Sequence, residues 1–126
     1  MNIPDELVYS TDHEWVRLSG NRATIGITDY AQDALGDVVY VELPAVGSIA
    51  TNGKSFGEIE STKSVSDLFA PVSGIVVEVN ASLSDSPQSL NQDPYGDGWI
   101  CVVELDDASD RTTLLSAEAY RSLTAG

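Results

Sequence analysis

The chain has 126 residues, of which 42% are hydrophobic, and its 20 Asp and Glu outnumber six Lys and Arg to give a net charge of −14. This length predicts one domain spanning residues 1–126, with enough apolar content for a core of its own. The negative charge repels phosphate backbones, so a nucleic-acid partner is not expected, whereas basic protein surfaces are favoured. No apolar run approaches the roughly 20 residues of a membrane-spanning helix.

The compartment is indicated by the cysteine content and by the N-terminal segment. Cys101 is the only cysteine, which excludes an internal disulfide and fits a reducing environment. It lies in a strand-like run, where we expect a small buried hydrophobe. The N-terminal segment has neither the apolar core of a secretory signal nor the Arg-rich composition of a mitochondrial transit peptide. We therefore expect a bacterial cytoplasmic protein, with a processed protein of the mitochondrial matrix as the alternative.

Short alternating segments, separated by Gly, Pro, Asn and Asp, dominate the chain and predict a β sandwich or barrel. The first two, Glu14–Leu18 and Arg22–Gly26, flank a Ser-Gly-Asn turn and predict a hairpin. Further strands are predicted at Val38–Leu43, Ser55–Glu60, Val65–Phe69, Gly74–Val79 and Trp99–Leu105.

Three short segments carry capping signals that predict helices. They are Thr28–Leu35 with Thr28 as N-cap and Gly36 as the stop, Ser86–Asn91 with Pro87 in the first turn, and Ser116–Leu123 with Ser116 as cap. The segment Thr11–Glu14 matches a capping box, but the alternating run that follows it predicts a strand.

Lys63 stands between two strand-like halves at the centre of the chain. The polar residues Glu60–Ser64 separate these halves and predict a hairpin tip that holds the Lys63 amine in water. Loops on a rigid β scaffold commonly carry function, and an exposed lysine at a turn is also commonly a plain solvated charge. The residues alone leave both interpretations open.

The segments around this lysine, Glu60–Asp67 and Ala70–Gly74, resemble the lipoylation segment of glycine cleavage H proteins. Other blocks resemble the same family in order and at family-like spacing, and several ordered blocks are far more specific than one short motif. These blocks are Asp12–Arg17, Gly26–Gln32, Leu35–Pro44, Asn91–Trp99 and Ala117–Tyr120, so that the resemblance covers Tyr9–Leu123.

The resemblance implies a mainly β, lipoyl-domain-like flattened barrel or sandwich with short helices, including a C-terminal helix. It also implies a non-catalytic carrier with lipoate attached covalently to Lys63, since group carriers of this kind move an intermediate between active sites. The implied partners are glycine decarboxylase, which loads an aminomethyl group, and aminomethyltransferase, which passes the one-carbon unit to tetrahydrofolate. Dihydrolipoamide dehydrogenase would reoxidise the arm, and a lipoylating enzyme would attach it.

The resemblance further implies roles for residues around the arm. Glu14 and Asp67 would hold the cationic amine of the loaded arm in a cleft that excludes water, although each also fits a plain surface acid. Glu60 and Gly74 would be recognised by the lipoylating enzyme, and Gly74 also fits a turn or a closely packed position. Ala34 departs from the pattern, because some H proteins carry a histidine near this position.

Other carriers and enzymes match the sequence less well. A biotin carrier typically has Met on both sides of its lysine, whereas Lys63 lies between Thr62 and Ser64. A lipoyl domain of a 2-oxoacid dehydrogenase would share the hairpin without the N-terminal block or the C-terminal helix. An H-like protein that only donates or relays lipoate would have the same hairpin, so this alternative stays open. The single histidine, His13, lies in no hydrolase or zinc motif, so we expect neither catalytic residues nor a metal.

Overall fold

The computed structural model describes residues 2–106 and 114–125, which form two antiparallel sheets around one main hydrophobic core. The larger sheet has six strands in the order β1-β2-β3-β9-β8-β5, and the smaller has three in the order β4-β6-β7. The six are β1 (Val8–Tyr9), β2 (Glu14–Ser19), β3 (Arg22–Ile27), β5 (Ile49–Ala50), β8 (Gly74–Val79) and β9 (Cys101–Leu105). The three are β4 (Val38–Glu42), β6 (Ser55–Ser61) and β7 (Val65–Phe69). Neither sheet closes on itself, so the predicted mainly β fold takes the form of a flattened sandwich.

Two hydrophobic clusters stabilise this arrangement. The main cluster combines side chains of both sheets, such as Val41 and Ile59 from the smaller and Val16 and Val103 from the larger. Trp15 alternates with Val16 and therefore projects from the opposite face of β2. There it belongs to a second cluster, which is completed by Leu7, Tyr9, Ala117 and Tyr120. The start of β2 is thus covered on both faces, which explains why Glu14 is buried together with the two residues that follow it, Trp15 and Val16.

The first and last helices begin at the predicted caps. Helix α1 (Asp29–Leu35) is capped by Thr28, whose Oγ1 accepts the backbone N–H of Ala31 at 3.1 Å. It ends at Gly36, which adopts a φ of 80° that favours glycine. In the C-terminal helix, here α4 (Ala117–Ala125), Ser116 Oγ accepts the N–H of Ala119 at 3.2 Å. The predictions of these two helices are confirmed.

The prediction of one helix over Ser86–Asn91 is wrong. The structure has two single-turn helices instead, α2 (Ser82–Asp85) and α3 (Ser89–Gln92), and neither has a side-chain cap. The carbonyl of Ser86 accepts the N–H of Ser89, so Ser86 and Pro87 lie in the turn between them. Each helix is anchored by one fully buried leucine, Leu83 or Leu90. Tertiary packing rather than capping therefore fixes these turns.

The strands agree with the alternating segments except at their ends. The hairpin of β2 and β3 pairs as predicted, from Glu14 opposite Ile27 to Ser19 opposite Arg22. Strand β9 begins at Cys101 rather than Trp99, whose carbonyl accepts a hydrogen bond from the Asn80 side chain at 2.7 Å. Strands β1 and β5 have two residues each, too few for an alternating pattern.

No helix within the described ranges is long and apolar enough to cross a lipid bilayer. The compartment and the single domain over 1–126 stay predictions.

Candidate functional site

The side chain of Ser61 organises the bend that carries Lys63. Ser61 is 6% exposed, and its Oγ accepts the backbone N–H groups of Lys63 and Ser64, each at 3.2 Å. The N–H of Ser61 donates to the carbonyl of Ser64 at 2.8 Å. Serine side chains commonly replace backbone partners in this way. The bend is thus fixed from inside while the Lys63 side chain is exposed, which confirms the predicted position of this lysine.

Further contacts join the bend to the end of α1. The N–H of Thr62 donates to the carbonyl of Asp37 at 3.0 Å. Asn91 Nδ2 donates to the carbonyl of Gly36 at 2.8 Å, and Asn91 Oδ1 accepts the first N–H of β4 at 2.9 Å. A Cβ atom at Gly36 would lie 2.9 Å from Lys63 Cε, so the lysine stem passes directly over this glycine. The bend, the end of α1 and the start of β4 therefore form one connected unit.

A cleft of about 280 Å³ opens beside this unit, with walls from β2, α1 and β7. Ser64 and Val65, the two residues that follow Lys63, line its edge. The wall combines three acidic residues with an apolar surface. The acids are Asp12, Glu14 and Asp67, and the apolar side chains include Ile27, Ala31, Leu35, Ile59 and Leu68.

Glu14 brings a buried carboxyl group into this cleft. The residue is 2% exposed, and its Oε1 accepts a hydrogen bond from Ser10 Oγ at 2.5 Å. Burial raises the pKa of Glu14 to about 8, because desolvation of the carboxylate outweighs the hydrogen bond from Ser10. No cationic side chain within residues 2–106 and 114–125 forms an ion pair with Glu14. The carboxyl group would therefore gain its charge most readily when a cation enters the cleft.

The two acids that the resemblance associates with the arm lie in the same cleft. Asp67 is exposed on β7, directly opposite Glu58 of β6, whereas Glu14 is buried. Ala34 also lines the cleft and is exposed. A longer polar side chain at position 34 would therefore stand at the same opening.

Glu60 and Gly74 do not line the cleft. Glu60 is exposed on β6, immediately before the buried Ser61 of the bend. Gly74 is buried in β8, where a Cβ atom would lie 2.0 Å from the carbonyl oxygen of Glu104. Its φ lies outside the left-handed region. Close packing of the strands, rather than turn geometry, therefore requires glycine at position 74.

The sequence did not indicate two aromatic residues of the cleft, His13 and Tyr30. Their ring centroids are 4.6 Å apart, and both rings line the wall beside Glu14. His13 has a φ of 69°, which no residue pattern predicts for a non-glycine residue. The roles of Ser61 and Asn91 were also missed, because their partners become visible only in three dimensions.

Cys101 is fully buried in β9, and burial raises the pKa of its thiol to about 12. The thiol is therefore protonated near neutral pH, whereas the reactive form of cysteine is the thiolate. The prediction that Cys101 is a small buried residue of the core is confirmed.

The chain resembles known proteins over nearly all of its length. The family model described as Glycine cleavage H-protein matches residues 7–125. The glycine cleavage system H protein of Anaeromyxobacter sp. (strain K) is 53% identical over 122 residues, which are 97% of this chain and 95% of that protein. The probable glycine cleavage system H protein of Haloarcula marismortui is 56% identical over 120 residues, 95% of this chain and 94% of that protein.

The fold is also that of a solved structure. The crystal structure of a glycine cleavage system H protein from Mycobacterium marinum superposes with a TM-score of 0.90 at 42% sequence identity, and the match covers 98% of this chain and 100% of that one. The H proteins are lipoate-bearing carrier subunits that have no catalytic activity. The chain therefore belongs to the glycine cleavage H-protein family and is a non-catalytic lipoyl carrier of the glycine cleavage system.

Proposed function

We propose that Lys63 is the lipoylated residue, through an amide bond between its Nζ and lipoic acid. Three observations support this assignment. The side chain is exposed, the backbone of its bend is held by Ser61, and the residues that follow it line the cleft. The other lysine, Lys54, is exposed in a separate turn and does not line the cleft. Only Lys63 thus combines access for a modifying enzyme with a nearby shelter for the arm.

The cleft suits such an arm in shape and in chemistry. Its apolar side chains match an aliphatic chain, and the buried carboxyl of Glu14 matches an amine at the end of the cargo. When bound to the protein, lipoate supplies a disulfide that opens to accept the cargo and is restored by oxidation. The residues of the chain present the arm, exclude water from it and bind its charged end.

We infer that the cargo is the aminomethyl group, which travels from glycine decarboxylase to aminomethyltransferase, after which dihydrolipoamide dehydrogenase reoxidises the arm. The observation that carries this proposal is the buried Glu14 carboxyl without a cationic partner among the described residues. An ammonium group in the cleft would let Glu14 release its proton and form an ion pair with this group. The attraction would be stronger than in water, because the surroundings of a buried carboxylate have a lower dielectric constant. Exclusion of water would also slow hydrolysis of the carried group. Asp67, which is exposed, would add a weaker attraction at the opening.

We also propose that the lipoylating enzyme recognises the surface around the bend. Glu60 is exposed there and carries a charge that an enzyme could bind. Gly74 is buried in the other sheet, so its influence on lipoylation would act through the packing of β8 rather than through contact.

A matched pair of lysine variants tests the attachment. We expect Lys63→Arg to fold normally, because an exposed side chain contributes little packing, and to acquire no lipoyl group from the lipoylating enzyme. We expect both Lys54→Arg and the unsubstituted protein to acquire one lipoyl group per chain. Intact mass and peptide mapping measure both results, and circular dichroism checks the fold.

Aminomethyl transfer in a reconstituted system with the partner enzymes extends this test to the whole function. Transfer should be lost in Lys63→Arg and retained in Lys54→Arg. Lipoylation or transfer that survives in the folded Lys63→Arg protein would contradict the proposal. Uniformly unmodified Lys63 in protein from its native host would do the same.

A further inference from the structure

His13 is held in the wall of the cleft by a strained backbone conformation. Its φ of 69° lies in the left-handed region, which is unfavourable for a residue other than glycine. The N–H of His13 donates to the carbonyl of Ser10 at 3.2 Å, and its carbonyl accepts the N–H of Thr28 at 3.1 Å. Strain of this kind persists where the surroundings over-determine it, and it clusters at functional sites. The residue that follows His13 is Glu14.

The His13 ring is also held by contacts from two helices. Tyr30 of α1 lies 4.6 Å away between ring centroids, and Tyr120 of α4 meets the ring edge-on at 5.7 Å. Tyr120 Oη lies 2.8 Å from His13 Nδ1 and 2.8 Å from Thr28 Oγ1. Thr28 and Tyr120 are both fully buried. A hydrogen-bonded chain therefore runs from the N-cap of α1, through α4, to the cleft.

The direction of this chain follows from its inner end. Thr28 Oγ1 has two polar neighbours among the described residues, the N–H of Ala31 and the hydroxyl of Tyr120. The N–H can only donate, so the buried hydroxyl proton of Thr28 has an acceptor among these neighbours only if it is donated to Tyr120 Oη. The proton of Tyr120 is then left with one acceptor, His13 Nδ1. An imidazole that accepts at Nδ1 is neutral and carries its proton on Nε2.

We propose that Tyr120 is a positioning residue of the arm cleft, which holds the ring of His13 in the neutral form with its proton on Nε2 beside Glu14. The C-terminal helix thereby determines the charge and orientation of a side chain in the cleft wall. This inference rests on the proposed function in one respect, namely that the cleft receives the cationic end of the loaded arm.

A neutral His13 matters because of its neighbours in the wall. Protonated His13 would repel an incoming ammonium group and compete with it for the carboxylate of Glu14. Among the residues that the structure describes, the charged or titratable groups that line the cleft besides His13 are Asp12, Glu14, Tyr30 and Asp67, and none of these is a cation that would compete for the carboxyl groups. Burial lowers the pKa of His13 more than the nearby Asp12 raises it, which agrees with the neutral form.

Nuclear magnetic resonance of the unlipoylated protein tests whether the His13 ring is neutral with its proton on Nε2. His13 is the only histidine, so its two ring nitrogens give unambiguous ¹⁵N signals. At neutral pH we expect Nδ1 to be an unprotonated acceptor and Nε2 to carry the proton. In Tyr120→Phe the Nδ1 signal should move, because the donated hydrogen bond is lost. A protonated Nδ1 in the unsubstituted protein would overturn the proposal without the need for any variant.

Tyr9→Phe is the matched control for Tyr120→Phe. The rings of Tyr9 and Tyr120 stack with centroids 4.7 Å apart, and the hydroxyl of Tyr9 donates to the carbonyl of Pro4 at 2.6 Å. Each variant thus removes one hydroxyl from the same stacked pair, and only one of these hydroxyls contacts His13. The signals of His13 should stay unchanged in Tyr9→Phe. Equal changes in both variants would indicate a general effect on packing and would overturn the assignment.

The lifetime of the loaded arm tests whether a neutral His13 helps the cleft to bind the cationic end of the arm. Hydrolysis of the aminomethyl thioether consumes one water and yields the thiol, formaldehyde and ammonium, so released formaldehyde measures the loss. Tyr120→Phe should shorten the lifetime by about two- to tenfold, the range of one net hydrogen bond, whereas Tyr9→Phe should not. Glu14→Gln, measured in parallel, reports on the cleft itself. A shortened lifetime in Glu14→Gln with none in Tyr120→Phe would overturn this inference alone, and unchanged lifetimes in both would overturn the proposed function as well.

Discussion

At the scale of single residues, Glu14 shows how a site for a cation is built at the expense of stability. Its carboxyl group is 2% exposed, and burial holds its pKa at about 8 against an ordinary value of 4.5. The group is therefore neutral in the folded protein over a range of pH in which it would be ionised in the unfolded chain. A glutamine would occupy a similar space, could accept the Ser10 hydrogen bond and would stay neutral at every pH. Retention of a carboxyl group here agrees with a role in binding a cation.

The free energy of unfolding should reveal this conflict through its dependence on pH. The folded protein binds the Glu14 proton more tightly than the unfolded chain does. Glu14 therefore contributes full stability below pH 4.5, and this contribution is lost as the pH rises through 8. The loss approaches a value on the order of 5 kcal/mol above the folded pKa, because the pKa rises from 4.5 to about 8 and one pKa unit corresponds to about 1.4 kcal/mol. In Glu14→Gln this component should be absent, so urea unfolding should show the variant to be more stable than the unsubstituted protein in alkaline solution.

Glu118→Gln supplies the control for the change of net charge. Glu118 is exposed on α4, and its replacement removes the same charge without removing a buried group. The pH dependence of this variant should follow that of the unsubstituted protein. An equal stability difference between Glu14→Gln and the unsubstituted protein in acidic and alkaline solution would show that Glu14 has an ordinary pKa.

At the scale of structural elements, the hairpin of β6 and β7 depends on an inward serine to present an outward lysine. Ser61 Oγ satisfies two backbone N–H groups that would otherwise have no partner inside the bend. The exposed Lys63 side chain makes no comparable contribution. Ser61 therefore stabilises the bend, and Lys63 is left accessible for modification. Substitution of the serine should therefore affect both the hairpin and its modification.

We expect Ser61→Ala to lower the free energy of unfolding by about 1–2 kcal/mol, because the buried hydroxyl no longer accepts two backbone N–H groups or donates to the carbonyl of Ser64. Lipoylation of Lys63 should become slower, since a looser bend must be ordered when the enzyme binds. Ser64→Ala is the control, because the hydrogen bonds of Ser64 in the bend use only its backbone N–H and carbonyl. Urea unfolding and the rate of mass increase with the lipoylating enzyme measure the two effects. Similar results for both variants would show that the Ser61 hydroxyl does not organise the bend.

The strands and helices also show which parts of the fold could be predicted from the sequence. Long alternating strands were found because one face of each is buried against the core, which gives a period of two. The two-residue strands β1 and β5 carry no such signal, and α2 and α3 depend on the burial of one leucine each. The polar stretch between two apolar halves predicts that Lys63 is exposed at a hairpin tip, whereas its role as the attachment site is implied only by the resemblance to glycine cleavage H proteins. The sequence does not predict the burial of Glu14, because this burial results from the packing of distant segments on both faces of β2.

At the scale of the whole molecule, the excess of acidic groups is unevenly placed. Glu42, Glu58 and Asp67 stand opposite one another across the three strands of the smaller sheet. Like charges that are directly opposed in a sheet are destabilising. On the larger sheet Arg22 pairs with Glu104, at 3.6 Å between Nη2 and Oε2. The effect of an added positive charge should therefore depend on where it is placed and on the salt concentration.

Glu58→Lys and Glu104→Lys change the net charge by the same amount in these two surroundings. Glu58→Lys turns two repulsions into attractions and should raise the free energy of unfolding in about 0.01 M NaCl by roughly 0.5–2 kcal/mol. Glu104→Lys places a cation against Arg22 and should raise it less or lower it. In about 1 M NaCl the Debye length falls to about 3 Å, so the difference between the variants should largely disappear. Urea serves as the denaturant, because guanidinium chloride would itself screen the charges. If the two variants gained equal stability at low salt, net charge alone would govern the stability of this acidic protein, and the opposed carboxylates of the smaller sheet would have no separate effect.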